Sequence, residues 1–133
     1  MIPRVVLDTN VYISALLYGG KPKRVLDLAL STEMQLLISQ PMRLELERVL
    51  REKFDFTPHE LAANADPLWS SAEWIAPLRR VNLCRDEPDN RVLECAFEGR
   101  ADCIVTGDRH LLDLPPIKEL AILTPDAFLI RFA

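Results

Sequence analysis

Four acidic residues, distant from one another in the sequence, have the type and placement needed for metal-dependent chemistry: Asp8, Glu45, Asp89 and Asp108. Gathered carboxylates repel one another unless a positive charge lies between them. A divalent cation supplies that charge, and Mg²⁺ and Mn²⁺ prefer hard oxygen ligands. Such a cation can activate water and stabilise the charge that develops during phosphodiester cleavage. This chemistry needs neither histidine nor cysteine, which fits a chain with 2 histidines and 3 cysteines.

Two of these acids follow short apolar segments. Asp8 comes directly after the segment 4–7, and Asp108 comes two residues after the segment 103–106. Since the carboxyl ends of parallel strands meet at one edge of a sheet, we expect both side chains at that edge. Helix capping or turn formation would also explain either residue taken alone.

The other two acids fall in helical patterns. Glu45 lies at the shoulder of an apolar stripe at helical spacing that consists of Met42, Leu46, Val49 and Leu50. It could instead be a surface acid paired with Arg48. Asp89 opens a helix whose inner positions are Val92, Leu93 and Ala96, so an N-cap role explains it equally well. Asp86 and Asn90 flank it, which leaves the register open by about one residue.

The elements that would position these acids alternate along the chain. Strands are predicted at residues 4–7, 36–39, 103–106 and 121–123, with a weaker candidate at 81–83. Helices are predicted at residues 11–18, 23–31, 41–53, from 58 onward with an interruption at Pro67, 89–98 and 125–132, with a short helical turn after 108. This order predicts one α/β domain over residues 1–133, with a parallel sheet covered on both faces.

Composition sets further expectations. The chain has 133 residues, which suits one domain, and a net charge of −4, which weighs against a polyanionic partner. The basic residues are grouped, however, and Lys21, Lys23, Arg24 and Arg85 are candidate substrate-binding residues; they could equally be solvated helix faces.

The unpaired cysteines predict a reducing compartment, and no apolar run approaches the roughly 18 residues that span a bilayer. A soluble, cytoplasmic protein without a membrane partner is expected.

Several segments together resemble the PIN domain family. They are Val5-Val-Leu-Asp-Thr-Asn-Val11, Glu45-Leu-Glu-Arg-Val-Leu50, the stretch from Arg85 to Ala96, and Ala101-Asp-Cys-Ile-Val-Thr-Gly-Asp-Arg-His-Leu-Leu112. The similarity is greatest to the toxin branch of toxin–antitoxin systems, related to VapC-type ribonucleases. It extends over nearly the whole chain.

The resemblance implies an α/β/α sandwich around a parallel sheet of four to five strands. It also implies cleavage of RNA with Mg²⁺ or Mn²⁺, and an antitoxin protein as partner, with a homodimer or higher oligomer as a further expectation. By position, Asp8, Glu45, Asp89 and Asp108 match the acidic quartet of the family, as both metal ligands and catalytic residues. Asn10 and Thr106 match polar positions beside the metal, where the Thr106 hydroxyl would orient a carboxylate or a water. Asn90 departs from the pattern, because related sequences often carry an acid there, and Asp86 is an additional acid.

Three alternative functions are compatible with a chain of this length. A receiver-like phosphoacceptor domain would need paired acids after the first strand, and a haloacid-dehalogenase-like phosphatase would need an acid at position 10, which is Asn10. Both fit poorly. The stronger alternative is a non-catalytic RNA- or protein-binding module with a vestigial acidic site. The segment 54–75, with Trp69 and Trp74, could then be a docking surface, although core packing is the favoured interpretation.

Overall fold

Five short segments form one parallel sheet in the computed structural model, which describes residues 1–133. The strands are β1 (Arg4–Leu7), β2 (Gln35–Ser39), β3 (Glu73–Ile75), β4 (Cys103–Val105) and β5 (Ala121–Leu123). Their order across the sheet is β3-β2-β1-β4-β5, and every neighbouring pair is parallel. The chain builds outward from β1 in one direction and then in the other, so the strand order reverses between β1 and β4. Ligands of open parallel sheets bind at such a reversal.

Seven helices flank this sheet. They are α1 (Thr9–Leu17), α2 (Gly20–Ala29), α3 (Gln40–Phe54), α4 (Pro58–Asn64), α5 (Glu87–Glu98), α6 (Arg109–Leu112) and α7 (Pro125–Phe132), with a 3-10 helix at Asp66–Ser71 between α4 and β3. Helix α5 packs against β1, β2 and β4, while α3 packs against β2 and α1. The predicted α/β fold with a parallel sheet flanked by helices is therefore confirmed. None of the helices is long and apolar enough to span a bilayer.

The core lies on the central strands, where the sequence is continuously apolar. Val5, Val6 and Leu7 of β1 are fully buried, as are Ile104 and Val105 of β4. A strand that is covered on both faces needs apolar residues at successive positions, which explains this pattern. The three cysteines are buried and unpaired.

One predicted strand is wrong. Residues 81–83 form no strand, because the backbone N–H groups of Val81 and Leu83 donate to side chains of α5 instead of to a neighbouring strand. The third strand in the chain is β3, three residues at an edge position in which Glu73 and Trp74 are exposed. Its short length and half-exposed pattern give little apolar signal. The helices α1, α2 and α5 also begin two or three residues earlier than predicted.

The two tryptophans have different environments. Trp69 is buried and packs edge-on against Tyr12, with ring centroids 5.6 Å apart. Trp74 remains 43% exposed, and the guanidinium of Arg43 lies over its ring. The core-packing interpretation therefore holds for Trp69 and not for Trp74.

Candidate metal centre

Strand register brings Asp8 and Thr106 together at the carboxyl edge of the sheet. Leu7 pairs with Val105 in adjacent parallel strands, so the residues that follow them leave the sheet side by side. The Thr106 hydroxyl donates to Asp8 Oδ2 at 2.8 Å and accepts from the backbone N–H of Asp108 at 2.9 Å. Because Thr106 is fully buried, this hydroxyl has no competing water. It links the two acids that follow β1 and β4.

The capping roles expected from the sequence are divided among these acids. Asp108 caps α6, since its Oδ1 accepts from the backbone N–H of His110 at 2.8 Å. Asp8 precedes α1 but makes no side-chain capping bond. The N-cap residue of α5 is Asp86, and Asp89 lies in the first turn. Capping therefore accounts for Asp108 in part and does not account for Asp8 or Asp89.

Glu45 reaches the same region from α3. Its carboxylate accepts a short hydrogen bond from Arg48, three residues later on the same helix face. Arg48 also donates to Glu52 at 3.2 Å. The surface pairing with Arg48 is therefore real, and it holds the Glu45 side chain in one orientation beside the other acids.

A cleft of about 360 Å³ lies between α1, α3 and α5, and most of its lining residues are polar or charged. The lining residues are Asp8, Thr9, Asn10, Glu45, Arg48, Val49, Lys53, Asp86, Pro88, Asp89 and Asp108. All four acids singled out from the sequence, together with Asn10, therefore face one cavity. Thr106 lies outside this lining and contacts it through Asp8.

The acids perturb one another strongly. Asp89 is only 4% exposed, and its Oδ2 has no hydrogen-bond partner. Burial, followed by the charges of Asp108 and Asp8, raises the pKa of Asp89 to about 7. Burial also raises the pKa of Asp8; the Thr106 hydroxyl opposes this shift and the Asp108 charge adds to it. A carboxylate oxygen that is buried without a partner is costly, so a positive charge bound in this cleft would stabilise it.

The tightest group of metal-ligating side chains only partly coincides with the predicted quartet. Four side chains each place one ligand atom within 4.8 Å of the others: Asp86, Asp89, Asp108 and His110. His110 Nδ1 lies 3.3 Å from Asp86 Oδ2, 3.6 Å from Asp108 Oδ1 and 3.8 Å from Asp89 Oδ2. This Asp/His cluster could bind a metal. The unpartnered Oδ2 of Asp89 in its midst shows that the donor set fits a divalent cation.

Several basic residues lie elsewhere than the sequence grouping suggested. Lys21 pairs with Asp126 at 2.6 Å, and Lys23 pairs with Asp27 at 2.7 Å. Arg24 lines a separate groove beside α7. Arg85 is exposed and is not part of the cleft lining.

Three residues of this region are absent from the site residues predicted from the sequence. Arg48 and Lys53 are the cations that line the cleft, and His110 belongs to the Asp/His cluster. The spacing of Arg48 from Glu45 is a usable signal, because residues three apart share a helix face. His110 follows Asp108 by two residues at the start of α6, and nothing in the sequence distinguishes it from an ordinary surface histidine.

Comparison with known proteins identifies the family to which this chain belongs. The PIN domain family model matches residues 4–110, which include Asp8, Glu45, Asp89 and Asp108. The chain belongs to the PIN domain family. The resemblance seen in the sequence motifs is thereby confirmed.

Two further similarities agree with a PIN domain. The uncharacterized protein MJ1680 of Methanocaldococcus jannaschii is 34% identical over 117 residues, which cover 84% of this chain and 74% of that protein. The crystal structure of VapBC2 from Rickettsia felis, bound to a DNA fragment from its promoter, matches 91% of this PIN domain and 98% of the solved chain. The TM-score is 0.57 at 13% identity, so this likeness concerns the fold alone.

Proposed function

We propose that this PIN domain is a divalent-metal-dependent endoribonuclease that cleaves RNA phosphodiester bonds, and that it is the toxin component of a toxin–antitoxin pair. One observation carries the proposal. Asp89 Oδ2 is buried without a partner in a cleft that Asp8, Glu45 and Asp108 also line. A bound cation would stabilise such an arrangement, because it offsets the repulsion among the carboxylates.

In this proposal Asp8, Glu45, Asp89 and Asp108 hold Mg²⁺ or Mn²⁺. The bound metal would supply Lewis acidity for water activation and for the charge that develops on the phosphate. Thr106 orients Asp8 through its 2.8 Å hydrogen bond, and Arg48 orients Glu45. Asp86 and His110 lie close enough to Asp89 and Asp108 to take part as well.

Burial and the neighbouring carboxylates set the protonation state of Asp89. Since the pKa of Asp89 is about 7 without a cation, this carboxyl holds a proton in a substantial fraction of molecules at neutral pH. Asp89 must release that proton to act as a ligand, so metal affinity should increase with pH. Arg48 and Lys53, at the α3 side of the cleft, provide positive charge for an incoming phosphate.

The proposed protein partner is an antitoxin that covers this cleft. The fold likeness to VapBC2 and the polar, open lining of the cleft support this part of the proposal. Association of two copies is proposed with it. These proposals are separable from catalysis, because the purified domain can be assayed alone.

The direct experiment is a map of cut sites on total RNA incubated with the purified protein and Mg²⁺ or Mn²⁺. Asp8→Asn protein, purified in parallel, controls for contaminating ribonucleases. We expect defined cuts that EDTA abolishes and that fall at least about 100-fold in rate in the Asp8→Asn variant. A folded wild-type protein that is inert on diverse RNAs in millimolar metal would contradict the proposal and favour a module that only binds RNA or protein.

A further inference from the structure

The segment 78–84 lies along helix α5 as a fixed strap. It is bound by three side chains at four-residue spacing on one face of that helix: Asn90, Glu94 and Glu98. Glu98 accepts from the backbone N–H of Leu78 at 3.2 Å, and Glu94 accepts from that of Val81 at 2.8 Å. The strap therefore runs antiparallel to α5.

The last anchor of the strap is the tightest. Asn90 Oδ1 accepts from the N–H groups of Leu83 and Cys84, at 3.1 and 2.8 Å, while its Nδ2 donates to the Cys84 carbonyl at 2.8 Å. Asn90 is fully buried and Cys84 nearly so. These bonds give residues outside regular secondary structure a defined path. They also explain why residues 81–83 do not pair with a strand.

The outward side of this strap is basic. Arg79 and Arg80 lie in the strap, and Arg85 directly follows it. Residues 76–85 contain no acidic residue. All three arginines are exposed, and none lies within 4.0 Å of a carboxylate, in contrast to Arg4, Arg43, Arg48 and Arg91. In a chain of net charge −4, this segment therefore has a local excess of positive charge.

A second cavity, of about 610 Å³, lies at the far end of the strap. Its lining residues are Leu78, Arg79, Arg80, Val81, Glu94, Phe97, Glu98 and Arg100. Glu94 is already paired with Arg91 at 2.8 Å, so three arginines and one carboxylate without a salt bridge, that of Glu98, remain in the lining. Leu78 is 88% exposed and Phe97 is 39% exposed, so apolar and aromatic surface lies among these charges.

The strap connects this cavity to the metal cleft. Leu78 to Val81 line the cavity, and Asp86, immediately after Arg85, lines the cleft. The two sites flank opposite ends of α5, and Asp89 and Phe97 are eight residues apart, roughly 12 Å along a helix axis. A flexible strand that leaves the cleft could follow Arg85, Arg80 and Arg79 in turn.

We infer that the strap is an RNA-binding exosite that guides single-stranded RNA into or out of the cleft. This inference rests on the proposed ribonuclease function and specifies its substrate as a single strand extending beyond the cut site. Guanidinium groups bind phosphate in bidentate fashion, and exposed Phe97 offers a stacking surface for a base. Arg79, Arg80, Arg85 and Arg100 bind successive phosphates, and Leu78 and Phe97 contact the bases.

The experiment measures binding separately from cleavage. Labelled single-stranded RNA is titrated by fluorescence anisotropy in EDTA, over a series of salt concentrations, with the wild type and with an Arg79→Gln/Arg80→Gln double variant. The matched control is Arg51→Gln/Arg131→Gln, which changes the net charge equally on α3 and α7, at residues that line neither the cleft nor the second cavity. Both substitutions of the strap leave its backbone anchors intact, because Asn90, Glu94 and Glu98 bind main-chain groups of the strap.

We expect the strap variant to bind about tenfold more weakly at low salt, with the log–log salt slope reduced by about 1.4 for two lost phosphate contacts. The control should bind like the wild type. Equal losses in both double variants, or no loss in the strap variant, would overturn the exosite. Strap-dependent binding by a protein that never cuts RNA would still support the exosite, while refuting the proposed ribonuclease activity.

Discussion

Thr106 donates its hydroxyl hydrogen to Asp8 Oδ2 at 2.8 Å across 98 residues of sequence, and the same hydroxyl oxygen accepts from the N–H of Asp108 at 2.9 Å. One buried hydroxyl thus sets the relative position of two acids that follow adjacent strands. Because Thr106 is fully buried, no water can replace it without rearrangement. The spacing of the proposed metal ligands therefore depends on a residue that is not itself part of the cleft lining.

The substitution Thr106→Val tests this dependence. Valine has nearly the same shape but leaves Asp8 Oδ2 and the Asp108 N–H without a partner, so we expect a loss of about 1–3 kcal/mol in the free energy of unfolding. The cleavage rate should fall with it. Thr106→Ser keeps the hydroxyl and should retain most of the activity. Urea denaturation and cleavage assays on the two variants check this; equal activity in both would contradict an orienting role.

The raised pKa of Asp89 predicts how the metal-free protein responds to pH. The pKa of Asp89 is about 7 in the folded state, against an ordinary value near 4 in an unfolded chain. The folded state therefore binds the proton more tightly, and this contribution to stability is complete below about pH 4 and lost as pH rises through about 7. The raised pKa of Asp8 acts in the same direction.

We accordingly expect the free energy of unfolding in EDTA to decrease between pH 5 and pH 8. Asp89→Asn cannot ionise, so its stability should change less over this range and exceed that of the wild type at pH 8. Urea denaturation at several pH values measures both curves. A wild-type stability that rises toward pH 8 without metal would show that the acids are not mutually repulsive.

His110 predicts a preference between metals. Its Nδ1 lies within 4 Å of three carboxylates, and a protein ligand should contribute less to Mg²⁺, which dehydrates reluctantly and retains its waters, than to Mn²⁺. If His110 joins the site, His110→Ala should weaken Mn²⁺ binding by about tenfold and Mg²⁺ binding by less. Isothermal titration with each metal gives the two ratios. Identical losses of affinity for both metals would show that His110 does not act as a metal ligand.

Substitution of Gly99, which follows α5, tests the close packing between this helix and β2. Its φ of −80° suits any residue, so its requirement for glycine is not conformational. A Cβ there would lie 2.8 Å from Leu37 Cδ1 and 2.9 Å from the Cys95 carbonyl oxygen. Gly99→Ala should therefore cost about 1–3 kcal/mol of stability. Gly107→Ala is the matched control, since a Cβ at that position would have nothing within 4 Å; thermal melts that rank the two variants equally would contradict this.

Much of this fold can be predicted from the sequence because the central strands are continuously apolar. The segments 4–7 and 36–39 predict β1 and β2 almost to the residue. The edge strand β3 is hard to predict because only one side of it packs on the core. Residues 81–83 have a strand-like sequence, but their backbone N–H groups bind side chains of α5. Local pattern cannot distinguish hydrogen bonds to a strand from hydrogen bonds to helix side chains.

The candidate site is predictable where strand ends determine it and less so elsewhere. Asp8 and Asp108 follow from the rule that parallel strands end at one edge. Whether Asp86 or His110 approaches Asp89 depends on the path of the 76–86 segment and on the short helix α6, which no spacing in the sequence specifies. The Lys21–Asp126 pair likewise depends on how α7 packs, whereas the Lys23–Asp27 pair joins residues four apart on α2 and follows from helical spacing.

Metal binding by the wild type and by Asp89→Asn is the decisive comparison, because the unpartnered Oδ2 of Asp89 is the feature that calls for a cation in this cleft. Mn²⁺ would be titrated calorimetrically into each protein at pH 8, after circular dichroism has shown both to be folded. We predict binding to the wild type, with proton release at lower pH, and an affinity at least about tenfold weaker in the variant. No binding to the wild type at millimolar Mn²⁺ would show that the acidic cleft is not a metal centre, and equal affinities would show that the Asp89 carboxylate is not a ligand.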